Sequence, residues 1–285
     1  MNEKYALDPK AIENYKDLKY IVEKFGFTEG RFLLRYPKYW KKMLNEHLIN
    51  LDLKDIEIAK INEILVKYEQ NFIRAALDYT PSNKWETNAT LQKHQGNIND
   101  IIGLSTETMI HPEVINDKIP DSRGIIIRGS AKNLVMVAKP LLQESEEIFI
   151  VDPYLTLEHE SYLSFFRELI KATSNQRISF NIFSNAKHFR STTPPQKIAE
   201  DTFLRILQPT QSITFTSLID DKKLMHKRLM FSIKGALSFD KGFRVSKEDV
   251  SIEVSAKTIH QNFLDLYLAN HHNLQIQDHF FCPAK

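Results

Sequence analysis

The feature that most limits how this chain can fold is a series of short apolar runs after residue 123, each separated from the next by a helical pattern. GIIIR (124–128), EIFIV (147–151), ISFNIF (178–183) and ITFTSL (213–218) are rich in β-branched and aromatic residues. They are too short for helices and read as buried strands. Between them, SAKNLVMVAKPLLQES, ESYLSFFRELIKAT and PQKIAEDTFLRIL carry apolar residues at helical spacing, with Pro140 a candidate kink in the first. Strands joined by helices of this length call for right-handed crossovers and a largely parallel or mixed sheet. LMFSI and GALSF are separated by Lys234 alone, which predicts a tight hairpin at one edge. An α/β fold is therefore expected for residues 125–285.

Residues 1–80 read differently. Asp8-Pro9 supplies a helix start and Gly26 a stop, with Ile12, Tyr15, Val22 and Phe25 near one face between them. A second helical stretch follows Thr28 and is interrupted at Pro37. A third begins near Asp52 and carries Ile56, Ala59, Leu65, Tyr68, Phe72, Ala76 and Leu77. The expectation is a helical bundle over 1–80. From Thr80 to Asn99 the composition turns to TPSNKWETNATLQKHQGNIN, whose Pro, Ser, Asn and Thr without periodicity read as a loop or linker. Residues 81–124 are taken as that linker, ambiguous toward its end, where Ile101, Ile102, Met109, Ile110 and Val114 lie.

Composition narrows the function classes. Hydrophobic residues make up 42% of the 285-residue chain and charged residues 26%, ordinary values for a folded protein. The formal charge of +2 lacks the strong clustered excess usual in DNA-binding domains. Cys282 is the single cysteine, so no intrachain disulfide forms, and a reducing, cytoplasmic setting is expected. MNEKYALDPK lacks the apolar centre of a signal peptide, and no run reaches the roughly 18 apolar residues of a spanning helix. Peripheral membrane contact needs only a surface patch and stays open. Walker-type and Gly-x-Ser-x-Gly motifs are absent. His271, His272, His279 and Cys282 lack the paired spacing of a zinc site, so neither metal nor cofactor is expected.

In α/β sheets, ligands sit beyond the carboxyl ends of strands. Three such loops carry chemistry: Asp152-Pro153-Tyr154, Ser184-Asn185-Ala186-Lys187-His188, and His226-Lys227-Arg228 before LMFSI. Each has a plain alternative. His226 and Arg228 fit a solvated turn, Asp152 fits a cap for the next helix, and Lys187 and His188 fit ordinary loop positions. The basic-aromatic stretch from Arg31 to Lys42 fits phosphate contacts with base stacking. It fits better an amphipathic helix with core aromatics and solvated lysines.

The segment MHKRLMFSIKGALSFDKGF (225–243) resembles the signature of phospholipase D-like domains, in which a histidine and a basic residue two places on enter a strand. Within that superfamily it is most similar to the C-terminal domain of MIT-domain proteins and its bacterial relatives. The matching pieces are Asp152-Pro153-Tyr154, His226 with Arg228, Gly235, and Asp240-Lys241-Gly242-Phe243, over roughly residues 125–270. The resemblance implies a phosphate site. His226 would be nucleophile or acid, Arg228 the clamp on phosphate oxygens, and Asp152 the group that orients His226. Arg228, Lys227, Tyr154, Asn185 and Lys187 would contact the ligand.

The departures are as specific as the matches. Arg228 stands where the catalytic signature has lysine, Ile233 where it has aspartate, and the following Ser-Asn pair is missing. Only one motif occurs, while catalysis needs two histidines. Two readings follow. One is a module that recognises an anion, nucleic acid, membrane headgroup or protein partner without turnover, its bacterial relatives resembling parts of defence or conflict systems. The other is a homodimeric, metal-independent phosphodiesterase or nuclease that shares His226 from two subunits.

Overall fold

The computed structural model describes residues 3–104, 109–119, 123–189, 193–269 and 274–283. The chain divides into two compact units, residues 1–122 and 123–285.

The first unit is built on a sheet. β1 (Glu3–Leu7), β2 (Arg31–Leu34), β3 (Phe72–Ile73) and β4 (Asp100–Ile102) run parallel in the order β3-β2-β1-β4. Around it lie α1 (Tyr15–Val22), α2 (Trp40–Asn50), α3 (Asp55–Lys67), α4 (Trp85–His94) and the short α5 (Ile115–Lys118). The helical bundle expected for 1–80 is therefore corrected to an α/β unit. Its strands are buried on both faces, as in parallel sheets generally. Such strands lose the alternation that marks a half-exposed strand, so a run like RFLL, buried throughout, also satisfies a helical pattern.

Local chemistry explains the other differences. Asp8 caps only a 3-10 turn over Pro9–Ala11, and α1 starts later, at an Asn14–Asp17 capping box. Arg31 is buried and donates from Nε to the Lys24 carbonyl (2.7 Å) and from Nη1 to that of Ile119 (3.3 Å). Phe32, Tyr36 and Trp40 are core while Lys38, Lys41 and Lys42 are exposed. The stretch is structural, though most of it is strand and loop rather than one helix.

The linker expected over 81–124 contains α4 and β4, and β4 completes the sheet beside β1. Its polar residues are spent on buried backbone. Asn88 accepts from Thr80 N (2.9 Å) and donates to the Thr80 and Lys84 carbonyls (3.0 and 3.1 Å). Gln92 donates to Asp78 O at 3.1 Å. Composition alone cannot separate a solvated amide from one that replaces water inside a fold.

The second unit contains β5 (Gly124–Arg128), α6 (Ala131–Gln143), β6 (Glu147–Val151), α7 (Glu160–Ala172), β7 (Ile178–Asn185), α8 (Pro195–Phe203) and β8 (Gln211–Ile219). It continues through β9 (Leu229–Ser232), β10 (Gly235–Phe239), β11 (Asp249–Val254), α9 (Lys257–Tyr267) and β12 (Gln275–Pro283). One eight-stranded sheet has the order β12-β8-β7-β6-β9-β10-β11-β5. β6, β7 and β8 are parallel, joined through α7 and α8, and the remaining pairs are antiparallel. The mixed α/β architecture expected after residue 124 is present.

Two placements within it are exchanged. The β9–β10 hairpin lies inside the sheet, between β6 and β11, and GIIIR forms an edge strand whose residues alternate between exposed and half-buried. Three isoleucines look more buried in sequence than the edge leaves them. Phe149, Val151, Leu229 and Phe231 pack with Phe263 and Tyr267 of α9 on one face. Phe166 meets Phe203 and Phe215 edge-on at centroid distances of 5.9 and 6.0 Å.

Leu33, fully buried in the centre of β2, discriminates sheet from bundle surface. Leu33→Ala is expected to cost about 2–5 kcal/mol in urea denaturation followed by circular dichroism, against roughly 0.5 kcal/mol or less for a surface leucine.

Candidate phosphate site at the carboxyl edge of the second sheet

Because β9 runs antiparallel to β6, its start meets the carboxyl end of β6. Asp152, Asn185 and Arg228 therefore come to one edge of the sheet. Asp220, buried just past β8, orders the approach to β9: its two carboxylate oxygens accept from Leu224 N (2.7 Å) and Met225 N (2.8 Å).

Asp152 has no solvent exposure. Its Oδ1 accepts from Tyr154 N at 3.0 Å and its Oδ2 from Phe243 N at 3.3 Å, and Tyr162 of α7 presents its hydroxyl to the same carboxylate. Burial pushes the Asp152 carboxyl above its ordinary value, while the two backbone N–H groups and the Arg228 charge pull it back. Burial and the nearby Asp152 push the Tyr162 phenol up in turn. The capping reading of Asp152 is corrected: α7 begins only at Glu160, and the carboxylate ties the end of β6 to the β10–β11 loop. Gly242 in that loop has a φ of 71°, and a Cβ there would collide with Asp152 Oδ2 and lie 2.7 Å from Arg228 Cδ. Only glycine meets both conditions.

Arg228 is held from two sides. Its Nη1 donates to the Asp240 carbonyl at 2.6 Å, and its guanidinium carbon lies 4.8 Å from the centroid of the Tyr154 ring. The rest of its five-donor fork engages no described residue. Tyr154 is 49% exposed, and the His188 ring lies 5.1 Å from it at a tilt of 48°. Arg228, Tyr154 and His188 thus form an open rim above a buried carboxylate.

His226 is exposed, and its imidazole makes no hydrogen bond or ion pair with a described residue. It lines a cleft of about 560 Å³ beside α9, with Lys227, Leu229, Phe263 and Tyr267. Lys227 Nζ lies 5.8 Å from the Phe263 ring, so it serves the α9 side while Arg228 serves the Asp152 side. The hydrogen bonds of Asp152 go elsewhere than to His226. Asn185 is half-buried, its Oδ1 accepting from Lys187 N at 2.9 Å, and Lys187 itself is exposed.

Sequence reasoning missed Tyr162 and Asp220 and left His188 as a loop residue. None carries a local motif, and only the packing of three strand ends brings them in. Of the C-terminal tail, His279 faces Thr216 Oγ1 at 3.0 Å, and burial pushes the Cys282 thiol up to about 11. His271 and His272 lie outside the described residues. The described residues include no grouping of three or more His, Cys, Asp or Glu side chains suited to a metal, and no helix long and apolar enough to cross a membrane.

No protein family matches the chain, and no curated protein matches it. Among solved structures it is similar to Nuc, a phospholipase D family member from Salmonella typhimurium, with a TM-score of 0.35 and 11% identity over 54% of this chain and 97% of that one. It is also similar to TrmBL2, an archaeal chromatin protein described as showing a novel mode of DNA binding, with a TM-score of 0.30 and 12% identity over 80% of this chain and 70% of that one. Similarities of this size fix neither fold nor function, and both are read from the chain's own residues.

The raised Asp152 carboxyl sets a pH dependence. Above its folded value the fold must hold a buried charge, so the contribution of Asp152 to stability is fully present below 3.8, the ordinary value, and is lost as pH rises through the raised one. Asp152→Asn is expected to lose that slope, its urea midpoint gaining on wild type across the same rise. Gly242→Ala is expected to destabilise by more than about 1 kcal/mol, measured by thermal unfolding.

Proposed function

We propose that residues 125–270 form a phospholipase D-like domain that recognises a phosphate-bearing ligand at Arg228 and does not hydrolyse it. The observation that carries this reading is the mounting of Arg228, fixed by the Asp240 carbonyl and the Tyr154 ring with its remaining donors directed to no group among the described residues. A planar fork held in place loses little freedom when it takes up two phosphate oxygens. Tyr154 and His188 add ring surface beside it, suited to an unstacked base or the glycerol region of a headgroup.

The same geometry disfavours turnover. A nucleophilic or acid-base histidine works when a partner fixes its tautomer and direction. His226 has no such partner among the described residues, and Asp152 is committed to Tyr154, Phe243 and Tyr162. Ile233, where the catalytic signature has aspartate, is 73% exposed in the β9–β10 turn. At roughly 3.3 Å per residue it lies about 16 Å from Arg228, so its identity leaves the phosphate contacts untouched. The resemblance to bacterial relatives suggests a defence or conflict system as the setting.

The test is binding of the full chain to a labelled single-stranded oligonucleotide and, separately, to vesicles containing phosphatidylinositol phosphate. The two arms distinguish nucleic acid from lipid as the carrier of the phosphate. Arg228→Ala is expected to weaken the productive arm about tenfold or more, and His226→Ala to leave it within about twofold. Binding indifferent to Arg228 would sink the reading. So would metal-free phosphodiester cleavage that disappears in His226→Ala, which would establish the shared-histidine enzyme instead.

A further inference from the structure

The two edges of the eight-stranded sheet are protected to different degrees. β12 carries a register break between Ile276 and Asp278, places Asp278 and His279 within the strand, and ends at Pro283. Bulge, charge and proline all discourage pairing with another chain. β5, Gly-Ile-Ile-Ile-Arg, has neither bulge nor proline, and its one charge, Arg128, stands at its last position. Ile126 is 71% exposed, and Ile125 and Ile127 are only half-buried.

The backbone of β5 is oriented to accept a partner strand. Gly129 donates its N–H to the Glu248 carbonyl (2.8 Å) and Arg123 accepts from Val254 N (2.7 Å), so the odd-numbered residues point toward β11. The alternation of an antiparallel ladder then turns the N–H and C=O groups of Gly124 and Ile126, and the N–H of Arg128, away from the sheet. The Arg128 carbonyl is already taken by Ser130 N (2.8 Å) and Asn133 Nδ2 (3.2 Å), which closes the ladder at that end.

The strand is also complementary to itself. Antiparallel pairing about a twofold axis through Ile126 sets Ile126 against its twin, Ile125 against Ile127, and Gly124 against Arg128. The β5–β11 register extends these rows inward. On one face, fully buried Val250 and Ile252 continue into Ile127 and Ile125, so the half-buried isoleucines of both copies meet in an apolar row. On the other face, exposed Glu253 lies beside Gly124, whose missing side chain opens the way to the partner's Arg128. Among the described residues the Arg128 side chain pairs with Asp249 of its own chain, at 3.4 Å, with both side chains about two-thirds exposed. Each end of the paired strands would then hold one arginine between two carboxylates.

From this register and charge match we infer that β5 is the docking edge for a second copy of this chain, joining two eight-stranded sheets into one. The arrangement differs from a dimer that shares His226. β9 lies three strands in from β5, so the two Arg228 sites are separated by seven strand spacings, about 34 Å at roughly 4.8 Å each, and open on opposite edges of the joined sheet. The dimer carries two independent sites.

Sedimentation equilibrium of the full chain over rising concentration tests this. Wild type is expected to pass from one chain mass to two. Ile126→Lys and Glu253→Arg, both at exposed positions, should keep the wild-type circular dichroism and melting temperature yet raise the dimer dissociation constant by about tenfold or more. Adding Arg128→Glu to Glu253→Arg should restore association, and His226→Ala should associate as wild type does. A wild type that stays monomeric throughout would overturn the inference. So would a dimer unmoved by Ile126→Lys, or one abolished by His226→Ala.

Discussion

A carboxylate without access to water must take its hydrogen bonds from the protein, and Asp152 takes them from segments far apart in the chain. Tyr154 belongs to its own loop, Phe243 to the β10–β11 loop, and Tyr162 to α7. The carboxylate thereby registers the end of β6 against the far side of the hairpin. Gly242 lets the loop come close enough, and Phe243, delivered by the same turn, packs 4.9 Å from Phe165 and 4.7 Å from Phe239. The cost of burying the charge, visible in the upward shift of the Asp152 carboxyl, is offset in part by these contacts and by the Arg228 charge.

What this fastening produces is a fixed arginine at the surface. Arg228 would be a loosely solvated side chain if the β10–β11 loop were free, because its Asp240 contact comes from that loop. Its ring contact comes from Tyr154, whose backbone is tied to Asp152. Positioning and charge at the rim are consequences of the buried group beneath it. His226, two residues earlier, lies outside this network and faces the cleft beside α9. Neighbouring residues 226 and 228 are thus divided between two environments, one beside α9 and one above Asp152.

The two units show the same principle at different scales. In the first, a parallel sheet buried on both faces is closed by polar side chains that bond backbone, such as Trp40 Nε1 to Leu7 O (2.6 Å) and Asn71 Nδ2 to Val22 O (2.8 Å). In the second, the parallel centre is equally buried, but the sheet ends in strands of unequal protection, and the less protected one is where its isoleucines reach the surface.

Read alone, the sequence determined the strand-helix alternation after residue 124, the hairpin around Lys234, and the placement of Asp152, Asn185 and Arg228 in loops at strand ends. Those features rest on periodicity and on the rule that ligands meet parallel strands at their carboxyl ends, both local or topological. Tertiary structure decided the rest. RFLL became a strand because a sheet covered both of its faces, and Asn88 became structural because it met the Thr80 backbone. GIIIR went to the edge and the hairpin to the interior because strand order depends on which pairings close, which no single segment encodes. The direction of Arg228 follows from a carboxylate 76 positions away from the arginine it steadies. Contacts at that separation leave no period in the sequence.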